Sequence, residues 1–190
     1  MTSGYPIRPL EEDDFLPIHR TLTAWWDDWG DPQAANQRML LLPRLFFQHF
    51  ADISMVVTDP RDEVAAYLIG FMSQSRAGQA YIHFVGVHPD LRGHGLGGRL
   101  YRRFFELCAS RGATRVSCVT SPGNIRSIGF HRALGFEVAT GRPHSGGFDV
   151  QPDYDGKGLD RVCFVRSLEP IATPDIEKST SGGGHDVSAP

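Results

Sequence analysis

Cysteine is scarce in this chain: Cys108, Cys118 and Cys163 are the only three among 190 residues. They are widely separated and form no CxxC pair, which argues against both a disulfide framework and a zinc site. They read instead as buried small hydrophobes. Long apolar runs are missing as well. Nothing approaches the roughly 18 residues a membrane-spanning helix needs, and the start, "MTSGYPIRPLEEDDF", lacks the basic residues and apolar core of a secretory signal. The expectation is a cytoplasmic protein without a membrane partner. Charge of either sign is not in large excess. A net charge of −3 gives no general attraction to nucleic acid, so partners must be sought in local features.

What is present suits one soluble domain. The chain is long enough for a substantial core and too short for two domains. Residues 1–169 are expected to form that domain. Residues 170–190, "IATPDIEKSTSGGGHDVSAP" from Ile171 onward, are too polar and glycine-rich to pack, so a disordered tail is predicted there. A short strand precedes an acidic start at Glu11 to Asp14 and a helix with Phe15, Ile18, Leu22 and Trp26 on one side. An Asp-rich break follows, then an apolar, helical stretch from Met39 to Phe50 that Pro43 should restart or kink. "ISMVVTD", "VAAYLIGFMSQ" and "AYIHFVGV" read as antiparallel strands. Leu96, Leu100, Phe104, Leu107 and Cys108 then mark a helix that Gly112 should end. "TRVSCVT" returns as a strand, and a short helix runs from about Asn124 to Leu134 with Gly135 as its stop. Strands near 136–139 and 160–168 complete the set, separated by the Gly-, Pro- and Asp-rich "GRPHSGGFDVQPDYDGKG".

The most informative stretch is "HPDLRGHGLGGRL", with glycines at 93, 95, 97 and 98 beside Arg92 and at the entry to a helix. Glycine is costly to order, so a cluster at a helix start implies that backbone N–H groups closely approach an anion. A P-loop is excluded because no lysine follows the glycines. Gly93, Gly95 and Gly98 match GxGxxG, but Pro89 and Asp90 separate them from the strand, and no acidic residue ends the next strand to hold a ribose. A pyrophosphate resting on loop amides, with Arg92 beside it and the helix dipole adding attraction, fits every residue.

"IHFVGVHP", the "RGHGLG" loop, an amphipathic helix, "RVSCVT" and "NIRSIGFHRALGF" together resemble the core of the GNAT superfamily of acyl-CoA-dependent N-acyltransferases. The family's Arg/Gln-x-x-Gly-x-Gly/Ala pattern falls on Arg92, Gly95 and Gly97. Its later pattern falls on Asn124, Phe130-His131 and Leu134-Gly135-Phe136. The resemblance is strong over about 64–140, and element order extends it to roughly 5–168. It implies an α/β (α+β) fold with a central mixed, mostly antiparallel sheet flanked by helices, whose splayed strands form an acyl-CoA cleft. It also implies that acetyl-CoA is the cosubstrate, with Val85, Gly86 and Val87 along its pantetheine arm. Arg92, Gly93, His94, Gly95, Leu96, Gly97 and Gly98 would surround its pyrophosphate, and Asn124 and Ser127 would lie near the thioester. The family's usual tyrosine, which protonates the departing thiolate, is replaced by His131.

Acyl transfer requires a neutral amine, a donor for the oxyanion and help for the leaving thiolate. If the strand alternates, Tyr81, His83, Val85 and Val87 share one face, which makes His83 the preferred base. A hydrogen-bonded core histidine is the competing reading. Tyr81 either orients a water or packs. Val85 N–H is the expected oxyanion donor. His131 carries a second proton-transfer role, with an ordinary pKa of about 6.5, against a structural imidazole. Cys118 lacks an activating neighbour in sequence and reads as buried rather than nucleophilic. His83, His88 and His94 have no metal-ligand spacing, and no metal is assigned. "WWDDWGD" suggests an acceptor rim of Trp25, Trp26, Asp28 and Trp29, with Asp27 and Asp31 adding charge and Asp149, Asp153 and Asp155 extending it, suited to a cationic amine. The function expected is acetyl transfer to a primary amine of a small molecule. Protein or peptide acetylation and a catalytically weak acyl-CoA-binding module are the alternatives, and a homodimer is left open.

Overall fold

The computed structural model describes residues 4–26 and 38–169. The predicted tail at 170–190, and Asp27, Asp28, Trp29 and Asp31 of the predicted rim, lie outside the described residues. Among those described, no helix is long and apolar enough to cross a membrane.

The strands are β1 (Ile7–Pro9), β2 (Met55–Thr58), β3 (Val64–Met72), β4 (Gln79–Val87), β5 (Arg115–Thr120), β6 (Glu137–Val138), β7 (Arg142–His144), β8 (Phe148–Val150) and β9 (Val162–Ser167). Seven of them form one sheet in the order β1-β2-β3-β4-β5-β9-β6. Its pairings are antiparallel except for β4 with β5. β7 and β8 pair as a separate hairpin, within the stretch expected only to separate two strands.

Helices cover both faces. α1 (Phe15–Ala24) and α2 (Leu45–His49) bury Ile18, Leu22 and Phe47 against Val56, Tyr67 and Ile69. On the opposite face, α3 (Leu96–Ser110) presents Leu96, Leu100, Phe104 and Cys108 at four-residue spacing and joins Ile128 of α4 (Ile125–Ala133) in the larger core cluster. Helical residues 38–41 stop before Pro43, as expected for a residue that lacks a backbone donor. Gly112 ends α3 at φ +80°, with Ala113 N–H donating to Cys108 O and Gly112 N–H to Ala109 O, both at 3.0 Å. A Cβ-bearing residue adopts that left-handed turn only with strain.

α1 ends at Ala24, two residues before Trp26, the last residue of the apolar stripe read from the sequence. Trp25 caps it and is buried, stacked 5.7 Å from Tyr67, while Trp26 is the half-buried member of the pair.

Candidate acyl-transfer site

Strands β4 and β5 are neighbours only from Gln79↔Arg115 to Tyr81↔Ser117. Beyond Tyr81 they part. An open cleft of about 190 Å³ lies at this divergence, lined by Ile82, His83, Phe84 and Val85 of β4 and Cys118, Val119 and Thr120 of β5. Trp26 stands on the α1 side, and Tyr101, Asn124, Ser127 and His131 on the α3/α4 side.

The register decides which backbone groups face the opening. His88 N–H donates to Ala65 O at 2.9 Å, so in the antiparallel β3–β4 ladder every second residue of β4 back from His88 bonds to β3. Gly86 opposite Tyr67 and Phe84 opposite Ile69 are such residues. Val85 and Val87 are not, and their backbone groups turn toward the cleft side. Val87 O is met there by Arg92 Nε at 3.1 Å. Gly86, expected as a cofactor contact, therefore has a packing role: a Cβ on it would lie 2.5 Å from Tyr67 Cζ.

The assumption of strict alternation along β4 fails. The register shifts between Ile69 and Gly70, so residues 82 and 84 face neighbouring partners and one residue of β4 is extra. Ala80 and Ile82 belong to the α3-side core, as do Val85 and Val87. Tyr81 packs on Phe71, and His83 stacks on Phe46 at 4.0 Å and 14°. Tyr81 and His83 thus sit on the α2 side, opposite Val85 and Val87. Tyr81 does not line the cleft, and burial pushes its phenol up beyond any useful titration, so packing is its role.

His83 remains at the opening. Its Nε2 lies 2.5 Å from Leu41 O, and a carbonyl only accepts, so Nε2 carries the hydrogen and Nδ1 the lone pair. Burial lowers its pKa despite this bond, which keeps it a neutral acceptor. His131 is 6% exposed. Its Nδ1 lies 2.7 Å from Ser127 O and 3.2 Å from Ser127 Oγ, and its Nε2 lies 2.9 Å from Tyr101 Oη. Burial lowers its pKa too. It is therefore not the free acid that its place in the sequence pattern suggested. Tyr101 is the cleft-lining side chain that sequence reasoning missed. The available signal was its position four residues after Gly97, on the helix face next to the glycine turn.

Gly93 and Gly95 have φ of +79° and +85°. A Cβ there would meet nothing within 4 Å, so conformation, not space, requires glycine. Gly95 is the N-cap of α3 and provides no side-chain cap. The first bond into the helix is Arg99 N–H to Gly95 O at 3.0 Å, which leaves the amides of Leu96, Gly97 and Gly98 without helical partners. A Cβ at Gly97 would come 3.2 Å from Phe130 Cζ. His94 is exposed, with Nδ1 3.0 Å from Arg92 O. Arg92 is turned inward: besides Val87 O, its Nη2 reaches Trp25 O at 2.7 Å, so the side chain ties the glycine turn to β4 and to the end of α1. Asn124 Oδ1 accepts from Ser127 N–H at 3.1 Å as the cap of α4.

The predicted acceptor rim is altered. Trp25 is core. Trp26 lines the cleft with Arg38 Cζ 5.7 Å from its ring centroid. Asp149 accepts from Gly141 N–H, Asp153 from Gly158 N–H, and Asp155 pairs with Arg161 at 2.6 Å. These three carboxylates hold their own loop together, and none of them lines the described part of the cleft. Cys118 lines the cleft, but burial pushes its thiol far up, so it is no nucleophile. Among the described residues no group of three His, Cys, Asp or Glu side chains is placed to hold a metal.

A mostly antiparallel sheet that splits beside a glycine turn defines an acyltransferase of the GNAT type. Residues 18–136 match the acetyltransferase (GNAT) family; the chain belongs to that family and is an acetyl-transferring enzyme. It is 28% identical over 137 residues to an acetyltransferase of Pectobacterium atrosepticum, covering 70% of this chain and 87% of that one. Its fold is similar to that of the ribosomal-protein-S18-alanine N-acetyltransferase from Escherichia coli, with a TM-score of 0.63, 18% identity, and 90% and 98% of the two chains covered. It is also similar to a phosphinothricin acetyltransferase from Sinorhizobium meliloti in complex with acetyl-CoA, with a TM-score of 0.58, 20% identity, and 93% and 95% covered.

Proposed function

We propose that the protein transfers the acetyl group of acetyl-CoA to the primary amine of a small molecule, directly and within a ternary complex. The observation that carries this reading is the parting of β4 from β5, because it leaves the backbone edge at Val85 and Val87 beside the uncapped amide end of α3. A long thioester with an anionic head fits both features. The α3 amides suit its pyrophosphate, and the β4 edge suits the amide groups of its arm.

Catalysis then divides between the two sides of the sheet. From the α2 side, His83 Nδ1 removes a proton from the substrate ammonium, which makes the nitrogen a nucleophile. Val85 N–H, on the cleft edge, donates to the developing oxyanion. The thiolate departs on the side of Tyr101 and His131. Trp26 and Phe84 form an aromatic wall on the acceptor side that suits a cationic amine. No carboxylate lines the described part of the cleft, so that preference rests on Asp27, Asp28 and Asp31, as does the place of Trp29 in the rim.

The test is acetyl-CoA-dependent release of free thiol over a panel of small amines and of peptides with free N-termini or lysines. Turnover confined to small cationic amines supports the reading. Turnover confined to peptides overturns the small-molecule part of it and favours an acceptor of the class named for the Escherichia coli neighbour.

A further inference from the structure

We propose that Tyr101 and His131 work as one proton shuttle, taking a proton from the attacking nitrogen and returning it to the departing sulfur. The inference rests on the acetyltransferase reading above. Its basis is the direction of two hydrogen bonds. Ser127 O only accepts, so the 2.7 Å contact places the hydrogen of neutral His131 on Nδ1. Nε2 then has only a lone pair, and the 2.9 Å contact must be the phenol O–H of Tyr101 donating to it. With its single hydrogen turned inward, Tyr101 Oη has lone pairs to offer the cleft, which both residues line. As it stands, the pair is set to receive a proton.

The electron count closes without any further reactant. As the amine nitrogen bonds to the thioester carbon, the carbonyl π pair moves to oxygen and the nitrogen becomes cationic. Tyr101 Oη takes the N–H proton and passes its own to His131 Nε2. His131 is then an imidazolium, bonded to Ser127 O and Tyr101 Oη and stacked on Phe164 at 4.7 Å and 15°, where the ring face favours a cation. When the C–S bond breaks, sulfur keeps the bonding pair and the oxyanion re-forms the carbonyl. Tyr101 gives its hydrogen to sulfur, and His131 Nε2 restores the hydrogen on Oη. Nitrogen and sulfur share one carbon at this stage, so one phenol can serve both.

The surroundings fit this cycle. Burial lowers the His131 pKa, so it begins as an acceptor, and raises the Tyr101 phenol well above its ordinary value, so it passes protons on rather than ionising. Among the described residues, the other titratable side chains lining the same cleft are Cys118 of β5, which burial keeps as a thiol, and His83 of β4, which burial keeps neutral. Phe130, Phe136 and Phe164 supply the rest of the wall around the imidazole.

The experiment combines nitrogen-15 NMR of the imidazoles in the full chain with single-turnover acetyl transfer by Tyr101→Phe, His131→Gln and the double variant, and with acetyl-CoA binding by calorimetry. Expected are an Nδ1–H tautomer for His131 in the parent and a rate loss on the order of 10²-fold in each single variant. The double variant should lose no more than either single one, and acetyl-CoA affinity should stay within about threefold of the parent. An Nε2–H tautomer in a parent that transfers acetyl overturns the shuttle alone, as do losses that multiply. A parent that binds no acetyl-CoA, or transfers to no amine, overturns the reading beneath it.

Discussion

Gly86→Ala tests how β4 is held at the edge of the cleft. The added methyl carbon would lie 2.5 Å from Tyr67 Cζ, 2.6 Å from Cε1 and 2.7 Å from Oη, all well inside van der Waals contact. Tyr67 cannot withdraw. It is fully buried, stacked between Trp25 at 5.7 Å and Phe84 at 6.4 Å, with its hydroxyl 3.2 Å from Thr21 Oγ1. Overpacking of a rigid core costs about 1–3 kcal/mol, and for a domain of this size each kcal/mol moves Tm by roughly 2–4 °C. Gly86→Ala should therefore melt about 2 to 12 °C below the parent in a calorimetric scan. Gly123→Ala is the control: its Cβ would meet nothing within 4 Å, and Tm should move by no more than about 1–2 °C. In a Tyr67→Leu background, where the ring is gone, the added cost of Gly86→Ala should fall below about 0.5 kcal/mol. The same loss in both backgrounds, or none in either, would refute the argument and restore Gly86 as a cofactor contact.

Other outcomes follow from the same geometry. Gly95→Val forces a branched side chain into a left-handed turn at φ +85°, at a cost of at least about 1–2 kcal/mol, and acetyl-CoA affinity measured by calorimetry should fall with it. Arg92→Ala leaves the carbonyls of Val87 and Trp25 without their donor; chemical denaturation should show a loss of about 1–3 kcal/mol, and an unchanged midpoint would remove the bracket assigned to this side chain. Burial lowers the pKa of His83 and His131, so the unfolded chain takes up protons first as pH falls below about 6.5, its ordinary histidine value. Their contribution to stability is fully present above that pH and is lost on acidification. His83→Phe keeps the stack on Phe46 and removes one of these protonations, so its Tm should drop less between pH 7 and 5 than the parent's. Trp26→Ala should raise the acceptor KM with acetyl-CoA affinity unchanged, whereas Trp25→Ala should act mainly on stability, by about 3–5 kcal/mol.

Much of this protein was legible along the chain because the signals are local. The shift from period two to period 3.6 after Val87 located the strand and helix around the glycine turn, since side-chain direction follows backbone period. Gly112 and Gly135 marked helix ends because both need a positive φ, and they adopt +80° and +79°. Pro43 interrupted the apolar stretch for an equally local reason. The turn at Gly93 and Gly95 was legible before any fold was known, because the left-handed conformation and the uncapped amides that follow are properties of the turn itself.

Tertiary structure decided everything that depends on registration between distant segments. A single extra residue in β4, opposite the Ile69–Gly70 step, turns His83 to the other side of the sheet from Val85. No period within "YIHFVGV" reveals it, because the bulge is defined only against β3. The choice of Trp25 over Trp26 for the core depends on where α1 ends against Tyr67. The three carboxylates of the late loop looked free only because Gly141, Gly158 and Arg161, their partners, are recruited by folding. Tyr101 and His131 lie 30 positions apart. Sequence alone determined that each sits on a helix; packing of α3 and α4 against one face of the sheet joins them, and the carbonyl of Ser127 sets which nitrogen holds the proton.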